Sequence, residues 1–305
     1  VRDDVTLSGI FPVLPTPFDA SGAPDVASLR RLVRYAIASG VDGITYPGVA
    51  SEASELTTDE RLALVAVVQD ELAGRLPLIV GVSSSSAETS AMLAVRAQQR
   101  DVAALMVAAP AERKDVAAQI AHFDELACRV SAPIMLQNVP PPAGAGLLPD
   151  AVLAIVAAVP KIAYVKEETV PSGQRLTRIR ERAPASLQGV FGGAGGRYVT
   201  DELRRGAAGS MPAIELAEVH AALMAAHRAG DEAGVRRLFT RMLPVLNIQA
   251  VFRWALTKHV LHVRGLIAHP GQRAAGPALD ALDRADVDAF LADLRDLLLP
   301  AESLT

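Results

Sequence analysis

Apolar and polar positions follow two rhythms along this chain. Short apolar runs read as strands: Gly9–Leu14, Gly43–Tyr46, Pro77–Val82, Ala104–Val107, Pro133–Gln137, Ile162–Lys166, Leu187–Gly192 and Gly209–Pro212. Several are apolar throughout, as strands are when both faces are covered. Longer stretches with helical spacing lie between them. Val26–Ser39 sets Leu29, Leu32, Val33, Ala36 and Ile37 on one side and meets Gly40, a good helix stop. Thr57-Thr58-Asp59-Glu60 reads as a helix N-terminus ahead of Arg61–Leu72. Ser86–Arg100, Asp115–Val130, Pro149–Val159, Ser172–Arg182 and Gly196–Arg205 complete the alternation.

Strands that alternate with helices pair in parallel, because each parallel link needs a crossover. Eight such units predict an α/β fold, a (β/α)8 TIM barrel, over residues 1–213. A doubly wound sheet usually has fewer strands. After Ile214 the strands stop, and Ala217–Arg228, Gly230–Arg241, Pro244–His262 and Asp286–Leu299 read as helices. Residues 214–305 are therefore expected to form a helical C-terminal segment.

Composition narrows the function classes. The 305 residues carry a formal net charge of −4, so there is no basic footprint for nucleic acid or for an anionic membrane surface. No apolar run approaches the roughly 20 residues of a membrane helix, and Val1–Val5 lacks a signal-peptide pattern. Cys128 is the sole cysteine, which excludes an intramolecular disulfide and fits a reducing, cytoplasmic compartment. The histidines show no metal-ligand spacing, so no metal is expected. Only four of the 30 basic residues are lysines: Lys114, Lys161, Lys166 and Lys258. Amine chemistry has few candidates.

In a barrel the working groups stand at the C-terminal ends of strands. Thr16, Pro47 to Glu52, Ser83 to Ser86, Ala108 to Pro110, Gln137-Asn138, Lys166 to Glu168, Gly192 to Gly196 and Ser210 fall there. Lys166 follows an apolar strand and is expected in the barrel mouth. Desolvation there favours a neutral amine, which can attack a ketone and form a Schiff base. It could equally be a strand-end cation paired with Glu167 or Glu168. Glu168 lies two residues on and shares its face, so it is either a proton shuttle or a plain counter-ion. The backbone amides of Gly48 to Glu52 could hold a carboxylate, or the stretch is an ordinary turn. Gly192 to Gly196 follows the seventh strand without the acidic partner of a dinucleotide loop, and that reading is rejected.

These residues resemble a known family. Pro15-Thr16-Pro17-Phe18, Gly48 to Glu52, Gln137-Asn138-Val139-Pro140 and Lys166-Glu167 are similar to the strand-end motifs of dihydrodipicolinate synthase / N-acetylneuraminate lyase, class I Schiff-base lyases. The resemblance covers essentially the whole chain. It implies that Lys166 forms the imine with a small 2-oxo acid and that no cofactor is needed. It also implies a homo-oligomer, a tetramer or dimer. The departures are specific. Gln137 stands where the family usually has a proton-relaying tyrosine, and Pro142 where a carboxylate-binding arginine is found. Val49 and Ala50 replace paired threonines, and Ser51 a glycine. Gln137 and Glu168 instead resemble the 2-keto-3-deoxy sugar acid dehydratases, especially the L-2-keto-3-deoxyarabonate type. That branch implies catalytic roles for Lys166, Glu168 and Gln137, with Thr16, Ala50, Ser51, Gly193 and Ser210 around the substrate. A pyruvate-releasing aldolase and a non-catalytic 2-oxo acid-binding barrel are the alternatives; dihydrodipicolinate synthesis is disfavoured by Gln137 and Pro142.

Overall fold

The computed structural model describes residues 6–84, 86–113 and 115–300. Strands and helices alternate from the start: Gly9–Ile10 (β1), Val26–Ala38 (α1), Ile44–Thr45 (β2), Thr58–Leu72 (α2), Leu78–Gly81 (β3), Ala87–Ala97 (α3), Ala104–Ala108 (β4) and Val116–Ala127 (α4). The second half repeats the pattern with Ile134–Asn138 (β5), Pro149–Ala158 (α5), Ile162–Glu167 (β6), Ser172–Arg182 (α6), Gly189–Gly192 (β7), Val199–Arg204 (α7), Gly209–Ser210 (β8) and Ala217–Arg228 (α8). Local signals set the boundaries. At the head of α2, Thr57 Oγ1 accepts from Glu60 N at 3.2 Å while Glu60 Oε2 accepts from Thr57 N at 2.9 Å, a reciprocal cap. Ser86, Asp115 and Asp25 cap α3, α4 and α1 in the simpler way.

All strand pairs are parallel, in the order β1-β8-β7-β6-β5-β4-β3-β2. Val13 bridges both Thr45, on β2, and Ala213, beyond β8, so the sheet closes on itself. This is the (β/α)8 barrel that the alternation predicts, with α8 packed against β1. Strand residues alternate between two cores. Ile79, Met106, Met135, Tyr164, Phe191 and Met211 fill the interior, where the Phe11 and Tyr164 rings meet Phe191 edge-on at 5.7 and 6.1 Å. Val80, Leu105, Leu136, Val165 and Val190 point outward and pack beneath the helices.

The C-terminal helices depart from the sequence expectation. The sequence places a helix break before Pro244, yet Glu232–Phe252 (α9) runs through it. The proline forfeits one backbone donor, but Leu238, Met242, Val245 and Leu246 on either side of it are buried against α8 and the later helices. The break falls instead at Arg253, ahead of Trp254–Val263 (α10). The last helix, Ala281–Asp293 (α11), starts before the expected Asp286, because Asp280 accepts from the amides of Leu282 and Asp283. Among the described residues no helix is long and apolar enough to cross a membrane.

The β1–β8 seam is a point of close backbone approach. A Cβ added at Gly209 would stand 1.9 Å from the Gly9 carbonyl oxygen, and its nearest neighbours are all backbone atoms. Gly209→Ala therefore cannot relax through a side chain. It is expected to destabilise the barrel by more than about 2 kcal/mol in urea unfolding, whereas Gly22→Ala, which meets nothing within 4 Å but has φ 83°, should cost about 1 kcal/mol.

Candidate active site

β6 builds the centre of the site. Tyr164 points into the barrel, so by alternation Lys166 does as well, one layer nearer the mouth, while Val165 and Glu167 face the helices. Lys166 is only 4% exposed, and its Nζ lies 3.1 Å from Glu168 Oε1. Gln137 stands opposite Lys166 in the β5–β6 register, and its Nε2 donates to the same carboxylate oxygen at 2.7 Å. Glu168 Oε2 accepts from Ala194 N at 3.0 Å. A side chain at Gly193 would collide with Glu168, with Cβ 2.6 Å from Cγ, so the glycine makes room for the carboxylate. Burial opposes the Glu168 charge, but the Lys166 ammonium, the Gln137 amide and the Ala194 amide together hold its carboxyl below the ordinary range. The residues expected at the ends of β5, β6 and β7 thus converge on one point: a buried amine with an ionised carboxylate beside it.

The neighbouring Glu167 does not share this role. It accepts from Asn138 Nδ2 at 2.8 Å and Thr169 N at 2.7 Å, with Arg175 Nε 3.4 Å away, all on the helix side of the sheet. Of the two glutamates after Lys166, only Glu168 touches it.

A second group gathers beyond β1 and β2. Thr16 Oγ1 donates to the Ser51 carbonyl at 2.7 Å and so accepts from the Tyr46 hydroxyl at 3.0 Å. Ser51 Oγ accepts from Gly48 N at 2.8 Å and donates to the Leu14 carbonyl. The donor proton of each of these hydroxyls is therefore used in shaping the turn. Among the described residues, the amides of Val49 and Ala50 at its tip have no acceptor. The sequence pattern passes over Tyr46; its only signal is a phenol at a strand end, above Thr45.

Ser210 is not brought to Lys166. It pairs with Gly192 on β7, and its neighbour Met211 takes the interior position. Among the described residues its buried hydroxyl has no partner. The other lysines separate cleanly. Lys161 donates to the Val130 carbonyl at 2.6 Å, on the opposite end of β6, and Lys114 lies outside the described residues. Lys258 is fully buried, but it pairs with Glu52 and lies 4.2 Å from the centre of the Phe18 ring.

A model of the dihydrodipicolinate synthetase family matches residues 6–290. The chain belongs to this family. Its members are class I Schiff-base lyases and synthases, and the chain is an enzyme of that kind. An L-2-keto-3-deoxyarabonate dehydratase from Azospirillum brasilense is 29% identical over 95% of this chain and 96% of its own. A 4-hydroxy-tetrahydrodipicolinate synthase from Acidobacterium capsulatum is 33% identical over 79% of this chain and 80% of its own. The crystal structure of a dihydrodipicolinate synthase from Rhodopseudomonas palustris superimposes with a TM-score of 0.88 at 26% identity, covering 95% of this chain and 98% of that one. A Schiff-base family needs a desolvated amine at a strand end, and among the described lysines only Lys166 stands in the barrel mouth.

Among the described residues, one buried carboxyl beside the site has no cationic partner and one unpaired oxygen. Glu202 on α7 accepts from Ser172 Oγ at 2.7 Å through one oxygen, and its other oxygen is unpaired. Burial, reinforced by the nearby Glu168 charge, pushes it up to about 7. A raised carboxyl binds its proton more tightly folded than unfolded. Its stabilisation is complete below the ordinary value of 4.5 and is lost as pH rises through about 7. The melting temperature should therefore fall between about pH 5 and pH 8. Burial pushes Glu215 up to about 7 as well, so Glu202→Gln, which keeps an acceptor for Ser172, should reduce that fall without abolishing it; an unchanged slope would assign the fall to other groups.

Proposed function

We propose that this enzyme is a Schiff-base hydro-lyase that dehydrates a 2-keto-3-deoxy sugar acid. The observation that carries the reading is the Glu168 carboxylate, clamped by Gln137 against Lys166 in the place of a phenolic relay. A glutamine amide cannot exchange protons as a phenol does, so proton transfer passes to Glu168. The likeness to the Azospirillum dehydratase over nearly the full length supports the same branch.

In this reading the Lys166 ammonium passes a proton to Glu168, the freed amine attacks the C2 ketone, and the carbinolamine hydroxyl leaves as water with that proton to give the protonated imine. Glu168 takes a proton from C3, and the electron pair moves through C2 to the imine nitrogen, forming an enamine. The enamine then expels the hydroxyl on C4, which leaves as water with the proton that Glu168 returns. Hydrolysis of the conjugated imine frees Lys166. The free amides of Val49 and Ala50 take the carboxylate next to the ketone, and Thr16 and Ser51 hold that turn in shape. Gly193 keeps space for Glu168. Aspartate-semialdehyde condensation is disfavoured, because Gln137 and Pro142 replace the tyrosine and arginine that it would use. A homo-oligomer, dimer or tetramer, is the expected assembly.

Mass analysis of turnover tests the reaction type. A 2-keto-3-deoxy pentonate or hexonate should give a product lighter by one water with its carbon chain intact. Release of pyruvate would make the enzyme an aldolase that uses the same lysine. Lys166→Ala should abolish turnover while leaving the melting transition cooperative. Glu168→Gln should lower kcat by about 10²–10⁴-fold and still form a borohydride-trappable adduct. Normal turnover in Glu168→Gln would reduce Glu168 to a counter-ion.

A further inference from the structure

The break between α9 and α10 sits on a strained residue. Arg253 has φ 45° and ψ −110°, a region that a side chain disfavours. The turn it makes presents Trp254, the sole tryptophan, to a residue 205 positions earlier: Nε1 donates to the Val49 carbonyl at 2.9 Å. The Arg253 guanidinium lies 4.5 Å from the centre of the indole ring and braces it.

That carbonyl belongs to the same planar unit as the Ala50 N–H. Val49 O also accepts from Glu52 N at 3.1 Å, so its end of the peptide is held twice while the Ala50 end has no acceptor among the described residues. Fixing the oxygen fixes the direction of the N–H, and a doubly bonded carbonyl polarises its own N–H. The C-terminal segment grips the other side of the turn as well. Glu52, itself at φ 56°, accepts from Arg273 N at 2.7 Å and Ala274 N at 2.6 Å and pairs with the buried Lys258.

We propose that Trp254 is a positioning residue for substrate recognition: its indole N–H locks the Val49–Ala50 peptide so that the Ala50 amide receives the carboxylate of a 2-oxo acid. This rests on the reading that the turn takes that carboxylate. It gives the strained Arg253 and the C-terminal helices a role in binding that their distance from Lys166 along the chain does not show.

The test is borohydride trapping at graded concentrations of pyruvate and of hydroxyacetone, a ketone that lacks the carboxylate. Trp254→Phe keeps the packing and removes the N–H. Half-saturation for pyruvate should rise roughly three- to tenfold with the final extent of trapping unchanged, while hydroxyacetone should be unaffected. An unchanged pyruvate curve, or an equal shift for both ketones, overturns the proposal. If the variant does not fold, the wild-type indole reports on its own. The reduced pyruvate adduct should shift Trp254 emission and the hydroxyacetone adduct should not; equal spectra overturn it. A wild-type protein that traps neither ketone removes the Schiff-base reading itself, and this inference with it.

Discussion

The buried contact between Lys166 and Glu168 is the constraint on which the rest of the site depends. An ammonium and a carboxylate withdrawn from water lose hydration that their attraction alone rarely restores. The remaining cost is offset by hydrogen bonds from Gln137 and the Ala194 amide to the two carboxylate oxygens. Three strands must therefore end at matched heights: β5 with Gln137, β6 with Lys166, and β7 with the Gly193-Ala194 turn. A closed parallel barrel holds them there, because the register of each strand is fixed by both neighbours. The seam at Val13, which bridges Thr45 and Ala213, completes that ring.

The same geometry separates charge by face. Glu167 and Glu168 are adjacent in sequence and differ in everything else. One faces the helices and is pushed up by burial; the other faces the amine and is held down by it. Alternation along a single strand thus turns one carboxylate to the helices and the next to the amine. Glu202, behind β7, adds a third carboxyl that burial keeps near neutrality. Its proton removes a charge that would otherwise repel Glu168.

Much of this was legible in the sequence. Alternating apolar runs and helical spacing located every strand and gave the barrel, because buried parallel strands are short, apolar and separated by amphipathic helices. The strand-end rule then brought Gln137, Lys166, Glu168 and Gly193 together, and the motif resemblance named the family. What escaped was long-range or compensated. Pro244 reads as a helix breaker, and packing on both sides of it carries α9 through. Arg253 has no residue-type signal for a left-handed turn. Ser51 and Thr16 look like ligands on a strand end, yet their hydroxyls close the turn. Ser210 lies one position off the interior, where a single step along the strand exchanges it for Met211. Lys258 and Trp254 belong to helices far along the chain, and no spacing connects them to Gly48 to Glu52.

The proposed mechanism requires that Lys166, and not the fully buried Lys258, be the amine that meets a 2-oxo acid. Peptide mapping of the protein after reduction with borohydride in the presence of a 2-keto-3-deoxy sugar acid tests it most directly. One modified residue, Lys166, is expected, with the mass of the reduced adduct of the intact or dehydrated substrate. Modification at Lys258, or an unmodified Lys166 in a protein that turns the substrate over, would contradict it.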